Sequence, residues 1–149
     1  MKKAFLLFSF LLIGLLAIAQ NPCPQVIPAL QEWKGSKGTL HLPAQGSIII
    51  NPSDETALAS TAAILKNDLK VLMGWEYTII TGKAKKDGIY LSLSEPDEQL
   101  GKEGYELSIL NKASIQAPTA QGVFWGTRTL LQMLHRQDAK MAKGTTRDW

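Results

Sequence analysis

Few side chains in this sequence have the types and spacing that chemistry requires. His41 and His135 are far apart, and neither belongs to an HExxH or comparable ligand pattern, so no metal site is predicted. The nucleophile elbow that would supply a Ser-His-Asp set is missing. Gly122 and Gly126 fall within a predicted helix, so they form no phosphate-binding loop. We expect no catalytic, cofactor-binding or metal-binding residue in this chain.

The acidic residues fall into two local groups. Asp54 and Glu55 are adjacent, but both lie in the predicted first turn of a helix, where their interaction with the helix dipole accounts for them. Glu95, Asp97 and Glu98 are typical of an exposed, solvated loop. Neither group is interpreted as catalytic.

Three isolated tryptophans have the chemistry for sugar recognition. Trp33, Trp75 and Trp149 could stack on sugar rings, although an isolated tryptophan more often packs within a protein. The sequence leaves both roles open.

The elements that position these residues centre on a predicted helix from Gly122 to Leu134. Its core-facing residues recur at steps of three and four, as in an amphipathic helix: Val123, Thr127, Leu130 and Leu134, widened by Phe124 and Leu131. Trp125 lies nearly opposite this stripe and Met133 lies off its side, so one sheet cannot cover both. We expect an exposed apolar patch around Trp125 that extends toward Met133.

The glycines of this helix predict a close approach. Gly122 and Gly126 are four residues apart, and each weakens a helix by about 1 kcal/mol relative to alanine. That cost is understandable where another backbone comes close to the helix.

The remaining pattern predicts an α+β domain with a mostly antiparallel sheet and two main helices packed against it. Another helix begins near Asn51, ends at Gly74 and presents a stripe of Leu58, Ala62, Leu65, Leu69 and Leu72. Alternating or β-branched runs predict strands at 39–42, 47–51, 76–81, 89–94, 105–109 and 113–117. Residues 20–38 resemble a loop segment, residues 39–137 form the domain, and the polar residues 138–149 are interpreted as a linker.

The N-terminal residues have the layout of a secretory signal. Lys2 and Lys3 precede an apolar run, and Ala17 and Ala19 fit a cleavage site, so we expect residues 1–19 to be removed before Gln20. The protein would then be exported, to a periplasmic, outer-membrane-associated or extracellular position in a bacterial envelope. We expect no membrane contact after cleavage.

Two alternatives for the N-terminus stay open. The apolar run from Ala4 to Ala19 is shorter than the roughly 20 residues of a membrane anchor, but a retained helix is one alternative. Lipidation of Cys23 is the other, although Asn21 and Pro22 precede it where small apolar residues are usual. A single cysteine forms no internal disulfide, so the fold depends on its core.

Charge excludes one class of partner. Removal of Lys2 and Lys3 lowers the formal net charge from +3 to +1, since no acidic residue is lost with them. No basic patch interleaved with aromatic residues is left, so nucleic acid is not an expected partner.

Several segments in order resemble the front domain of glycoside hydrolase family 20, the β-N-acetylhexosaminidases. They are residues 26–28 and 38–42 at the start of the domain, and residues 104–109, 113–117 and 122–134 at its end. The resemblance implies the same architecture and a non-catalytic domain that leads into a (β/α)8 barrel with the active site. The barrel would pack around Trp125 and bind the glycan, and the catalytic residues would lie beyond Trp149.

Family 20 enzymes use an adjacent Asp-Glu pair, in which Glu protonates the leaving oxygen and Asp orients the acetamido group of the substrate. That role is not transferred to Asp54 and Glu55, because the family's pair lies at the end of a barrel strand. We therefore expect these 149 residues alone to be inactive. The alternatives are a free-standing carbohydrate-binding or envelope interaction module, and the front domain of another glycoside hydrolase family.

Overall fold

The computed structural model describes residues 20–136 and 139–149, without the side chains of His135 and Arg136. The predicted signal at residues 1–19 lies outside the described residues. So does the side chain of His135, for which no metal role was predicted.

The described residues form two main helices and seven strands. The helices are α1 (Glu55–Met73), which follows a short 3-10 turn at Pro52–Asp54, and α2 (Ala120–Arg136). The strands are β1 (Lys34–His41), β2 (Gln45–Ile50), β3 (Glu76–Thr81), β4 (Ile89–Leu93), β5 (Tyr105–Ile109), β6 (Ala113–Ala117) and β7 (Lys140–Asp148).

All seven described strands belong to one sheet, in the order β1-β7-β5-β6-β4-β2-β3. Three pairings are antiparallel, namely β1 with β7, β7 with β5 and β5 with β6, and the other three are parallel. β2, α1 and β3 make a β-α-β unit, and such a crossover requires parallel strands. The α+β class is confirmed, and antiparallel pairing accounts for half of the described sheet.

The two helices pack side by side against one face of the sheet and share one core. α1 lies over β2, β3 and β4, and α2 lies over β4, β5 and β6. The predicted stripe of α1 is buried except for Leu72, in its last turn, which is exposed. Gly74 ends α1 with φ +69°, as predicted.

The linker interpretation of residues 138–149 is wrong for the described part. Residues 140–148 form β7, which lies between β1 and β5 and hydrogen-bonds to both. Met141 and Thr146 are buried, but the two lysines, the glycine and the aspartate of this strand are residue types that strands usually lack. β7 is therefore stabilised by backbone hydrogen bonds to β1 and β5, although its own composition does not predict a strand.

The loop interpretation of residues 20–38 is wrong at its end. β1 begins at Lys34, and its register with β7 shifts between Gly35 and Thr39. A bulge with glycines and lysines hides the strand in the sequence. His41 is exposed at the end of β1, while Leu40 and Leu42 are buried.

Candidate functional site

The close backbone approach predicted for α2 is present at Gly122 and absent at Gly126, where side chains come close instead. A Cβ on Gly122 would lie 2.3 Å from the carbonyl oxygen of Gly104. At Gly126 the neighbours are side chains, because a Cβ there would lie 2.5 Å from Ile115 and 3.1 Å from Tyr105. The start of the helix is capped by Thr119, whose Oγ1 accepts a hydrogen bond from the N–H of Gly122 at 3.0 Å.

The two sides of α2 differ in exposure. The predicted stripe is buried except for Phe124, which is half-buried, and Trp125 on the other side is 42% exposed. Met133 is only 1% exposed and belongs to the core cluster, so the expectation of a patch that extends toward it is wrong. A helical wheel shows only the angle between Met133 and the stripe. It does not show that the two packed helices bury Met133.

A groove of about 370 Å³ lies beside Trp125. Its lining comes from the outer side of α2, the N-terminal segment, the start of β5 and the end of β7: Ile27, Pro28, Glu103, Tyr105, Trp125, Arg128, Thr129, Gln132, Asp148 and Trp149. The groove therefore lies where sequence segments more than a hundred residues apart meet.

Tyr105 is the centre of the polar floor of the groove. Its hydroxyl lies 2.6 Å from Thr129 Oγ1 and donates to Asp148 Oδ2 at 3.0 Å. The N–H of Gln31 donates to the other carboxylate oxygen of Asp148 at 3.1 Å. Burial is the main cause of the raised pKa of Tyr105. The hydrogen bond with Thr129 lowers this pKa, and the negative charge of Asp148 raises it. Tyr105 is therefore a neutral donor at physiological pH.

Gln132 and Ile27 form one wall of the groove through a reciprocal pair of hydrogen bonds. The N–H of Ile27 donates to Gln132 Oε1, and Gln132 Nε2 donates to the carbonyl of Ile27, both at 2.9 Å. The peptide bond from Ile27 to Pro28 is cis. These bonds place the Ile27 side chain, which is 72% exposed, on the groove that Trp125 lines.

Arg128 ties the two helices together. Its Nη1 pairs with Asp68 Oδ2 of α1, its Nη2 donates to Thr127 Oγ1 at 3.0 Å, and its guanidinium lies 4.7 Å from the ring centre of Phe124. The charge of Arg128 is thus compensated within the domain.

Exposed apolar residues continue from α2 onto α1. Ile64 and Val71 are exposed, and they lie four residues before and three residues after Asp68, so they share its side of α1. We call the exposed residues Ile27, Ile64, Val71, Trp125 and Trp149 the outer helical face. It is wider than the patch expected from α2 alone.

The polar groups around the groove are engaged with each other. Glu103 Oε1 accepts a hydrogen bond from Gln121 at 2.6 Å, and Asp148 is held by Tyr105 and Gln31. Within the described residues there is no cluster of three His, Cys, Asp or Glu side chains that could hold a metal ion. No helix among them is long and apolar enough to cross a membrane. This arrangement suits packing and offers no free acid, base or nucleophile in the groove.

Asp54 and Asp97 have structural contacts. Asp54 is buried, and its Oδ2 accepts a hydrogen bond at 2.8 Å from the N–H of Leu93, which pins the start of α1 to β4. Asp97 accepts hydrogen bonds from the N–H groups of Gln99 and Leu100 and pairs with Arg147 at 2.6 Å. The bond from Leu100 is the main cause of its lowered pKa. Asp97 is thus ion-paired, in contrast to the freely solvated side chain that the sequence predicted.

The tryptophans considered for sugar contact lie in different places. Trp33 is half-buried and donates from Nε1 to the carbonyl of Asn21 at 3.1 Å, and Trp75 is buried and stacks on Tyr77 at 5.9 Å. Trp149 is exposed and lines the groove. The structure therefore supports packing roles for Trp33 and Trp75.

Sequence reasoning missed the polar floor and the Ile27 wall. The pattern around Tyr105 indicates only a strand, and Asp148 lies in the segment interpreted as a linker. Gln132 was not considered, because nothing near it in the sequence points to a partner 105 positions away. Correct pairing of β7 with β5 would have brought Tyr105 opposite Asp148.

A comparison with protein families gives one match over residues 23–149, to the family model described as glycosyl hydrolase family 20, domain 2. The chain belongs to glycosyl hydrolase family 20. The resemblance noted in the sequence is confirmed, and the alternative of a front domain from another hydrolase family loses its support.

Family 20 proteins of known activity match most of this chain. A lacto-N-biosidase from Bifidobacterium bifidum is 32% identical over 124 residues, which are 82% of this chain and 11% of that protein. A β-N-acetylhexosaminidase from Streptomyces coelicolor A3(2) is 26% identical and superposes with a TM-score of 0.68 over 87% of this chain and 27% of its own. The chain thus spans about a quarter or less of these relatives.

The fold extends further than sequence similarity. A Streptomyces plicatus β-hexosaminidase variant, solved with the product GlcNAc, is 25% identical, with a TM-score of 0.69 over 88% of this chain and 27% of its own. The structure called CpGH84D reaches a TM-score of 0.60 at 11% identity over 84% of this chain and 24% of its own, which shows a common fold alone. Fold by itself would not have settled the family.

Proposed function

We propose that this chain is the non-catalytic front domain of an exported β-N-acetylhexosaminidase. The enzyme would hydrolyse terminal, non-reducing N-acetylhexosamine residues of glycans in a (β/α)8 barrel, and the outer helical face would pack against that barrel. The observation that carries this proposal is the exposure of Trp125 on a helix whose opposite side is fully buried. The names of the Streptomyces relatives and the family membership support the activity.

The chemistry of the outer helical face suits a protein partner. Arg128, beside this face, is ion-paired with Asp68, and the carboxylates of Asp148 and Glu103 accept hydrogen bonds from neutral groups of the domain. The apolar side chains of the face can be buried against a partner, as at the core of stable interfaces, while these polar groups keep their present partners. We propose the barrel as that partner.

Inactivity of the chain alone is part of the same proposal. The described residues offer no free carboxylate pair, so catalysis would need groups from the barrel. The assay is release of the chromophore from a chromogenic N-acetylglucosaminide. Protein-dependent release by the purified 149-residue chain would overturn this part of the proposal.

Export to a bacterial envelope remains our proposal for location, supported by the signal-like pattern at the N-terminus. N-terminal sequencing of the secreted protein tests it. A start at Gln20 is expected, and an intact Met1 in the exported protein would contradict it.

The main test uses the full-length enzyme that contains this domain. Trp125→Gln should lower its thermal inactivation temperature, because water would enter the proposed domain-barrel interface. His41→Gln, an exposed substitution at the end of β1, is the matched control and should change nothing. Equal inactivation of the two variants would contradict docking at Trp125.

A second candidate function is carbohydrate binding, which the pair of exposed tryptophans beside the polar floor of the groove favours. Trp125 and Trp149 offer stacking surfaces for sugar rings on the lining of the groove. Titration of the chain with N-acetylglucosamine oligomers separates the two functions. Saturable binding that Trp149→Ala removes supports the binding module, and no binding supports the scaffold.

A further inference from the structure

The two edges of the sheet differ in protection. At one edge, β1 has an irregular register, and the N-terminal segment bonds to it. Asn21 donates from its backbone N–H to the carbonyl of Ser36 at 3.1 Å and from Nδ2 to that of Gly38 at 2.7 Å. At the other edge, β3 pairs only with β2 among the described residues. An edge without such cover is a place where a further strand can pair.

The direction of the free backbone groups of β3 follows from its bonds. The N–H of Glu76 donates to the carbonyl of Ala44, just before β2, at 2.9 Å, and the N–H of Gly82 donates to the carbonyl of Ile50 in β2 at 3.0 Å. Backbone groups alternate in direction along a strand, so the groups of the odd-numbered residues point away from the sheet. Those residues are Tyr77, Ile79 and Thr81.

We propose that β3 of a second copy of this chain pairs with this edge, antiparallel, about a two-fold axis at Ile79. In that register Ile79 faces Ile79 of the other copy, and Tyr77 faces Thr81. Each outward-facing residue then meets another outward-facing residue, so both exchange their N–H and C=O hydrogen bonds. The same edge serves both copies, as a two-fold interface requires.

The charges along β3 permit this pairing. In the same register Glu76 faces Gly82 and Thr78 faces Ile80, so no like charges stand directly opposite. The residues of β3 after Glu76 carry no charge. Glu76 itself is paired with Lys70 of α1 at 3.1 Å. β3 therefore lacks the charged side chains that commonly prevent edge pairing.

This proposal is independent of the proposed function. β3 lies at the far end of the sheet from β5 and β7, whose residues line the groove. A dimer through β3 leaves Trp125 uncovered, and docking of a barrel at Trp125 does not require β3.

Sedimentation velocity of the purified chain tests the proposal. We expect a concentration-dependent dimer that Ile79→Lys abolishes, because two lysines would then oppose each other at the axis. Ile79 is 37% exposed, which leaves room for the substitution within the folded monomer. Val71→Lys adds the same charge on the outer helical face and should leave the dimer intact. A monomer at every concentration, or an effect of Ile79→Lys no stronger than that of Val71→Lys, would overturn the proposal.

A cross-linking experiment covers the case in which Ile79→Lys unfolds the chain. In a Cys23→Ser background, Ile79→Cys places two thiols opposite each other at the axis and should give a covalent dimer on mild oxidation. Val71→Cys is the matched control for random collision. Cross-linking of Ile79→Cys no faster than that of Val71→Cys would also overturn the proposal.

Discussion

The hydroxyl of Tyr105 lies 3.0 Å from a carboxylate oxygen of Asp148, and this contact joins β5 to β7 beneath the groove. Thr129, at 2.6 Å from the same hydroxyl, adds α2 to the junction. Asp148 also receives the N–H of Gln31, so the N-terminal segment is held at the same point. The hydrogen bonds of Tyr105 and Asp148 therefore connect β5, β7, α2 and the N-terminal segment, which together form the groove.

Tyr105→Phe should destabilise the domain by about 1–3 kcal/mol, because the substitution leaves Asp148 and Thr129 without their shared partner. Urea unfolding followed by tryptophan fluorescence measures the loss. Tyr90→Phe, on the opposite face of the sheet, removes the same atom from a half-buried position and should cost less. Equal losses in the two variants would show that the junction contributes nothing specific.

Stability should fall at alkaline pH. Burial raises the pKa values of Tyr77 and Tyr105 in the folded domain above the ordinary tyrosine value of about 10. A raised folded pKa means that the stabilisation is complete below about pH 10 and is lost as pH rises toward the folded pKa. Melting temperatures measured from neutral to alkaline pH should therefore decline above about pH 10. The decline should be shallower in Tyr105→Phe, and the same slope in that variant would contradict the assignment.

Gly126→Ala should destabilise the domain although alanine is the better helix former. The gain in helix propensity is about 1 kcal/mol, but the new Cβ would lie 2.5 Å from Ile115 and 3.1 Å from Tyr105. Overpacking of this kind typically costs 1–3 kcal/mol, so a net loss is expected in urea unfolding. Ser60→Ala at an exposed position of α1 is the control. A more stable Gly126→Ala variant would contradict this, because it would mean that α2 can move away from Ile115 and Tyr105 at little cost.

Gln132→Ala should free the N-terminal segment at Ile27 from α2 without unfolding the domain. The N–H of Ile27 loses its partner at 2.9 Å, so its hydrogen exchange should become faster while exchange in the core strands stays the same. Gln99→Ala, at an exposed position away from the groove, serves as the control. Unchanged protection of Ile27 would mean that the N-terminal segment is held by other contacts.

The sequence predicted the elements whose signals are local. The structure contains most of the predicted stripe of α2, the end of α1 at Gly74 and the strands at 105–109 and 113–117. Each of these depends on a spacing or a residue type within a few positions. The family resemblance came from the order of such segments, and the family comparison confirmed it.

The features that sequence reasoning missed depend on distant partners. β7 is polar, and it becomes a strand because β1 and β5 supply hydrogen bonds on both sides. The contact of Tyr105 with Asp148 follows from that pairing, and the wall at Ile27 depends on Gln132. Met133 was expected near the exposed patch because a helical wheel shows no tertiary cover. Ile64 and Val71 widen that patch, which only the packing of α1 beside α2 reveals.

The most direct test of the proposed docking is the reactivity of Trp125 toward hydroxyl radicals, followed by mass spectrometry. The oxidation rate of Trp125 would be compared between this chain and the full-length enzyme, with half-buried Trp33 as the internal reference. The account predicts strong protection of Trp125 in the full-length enzyme and little change at Trp33. Oxidation of Trp125 at the same rate in both proteins would contradict it.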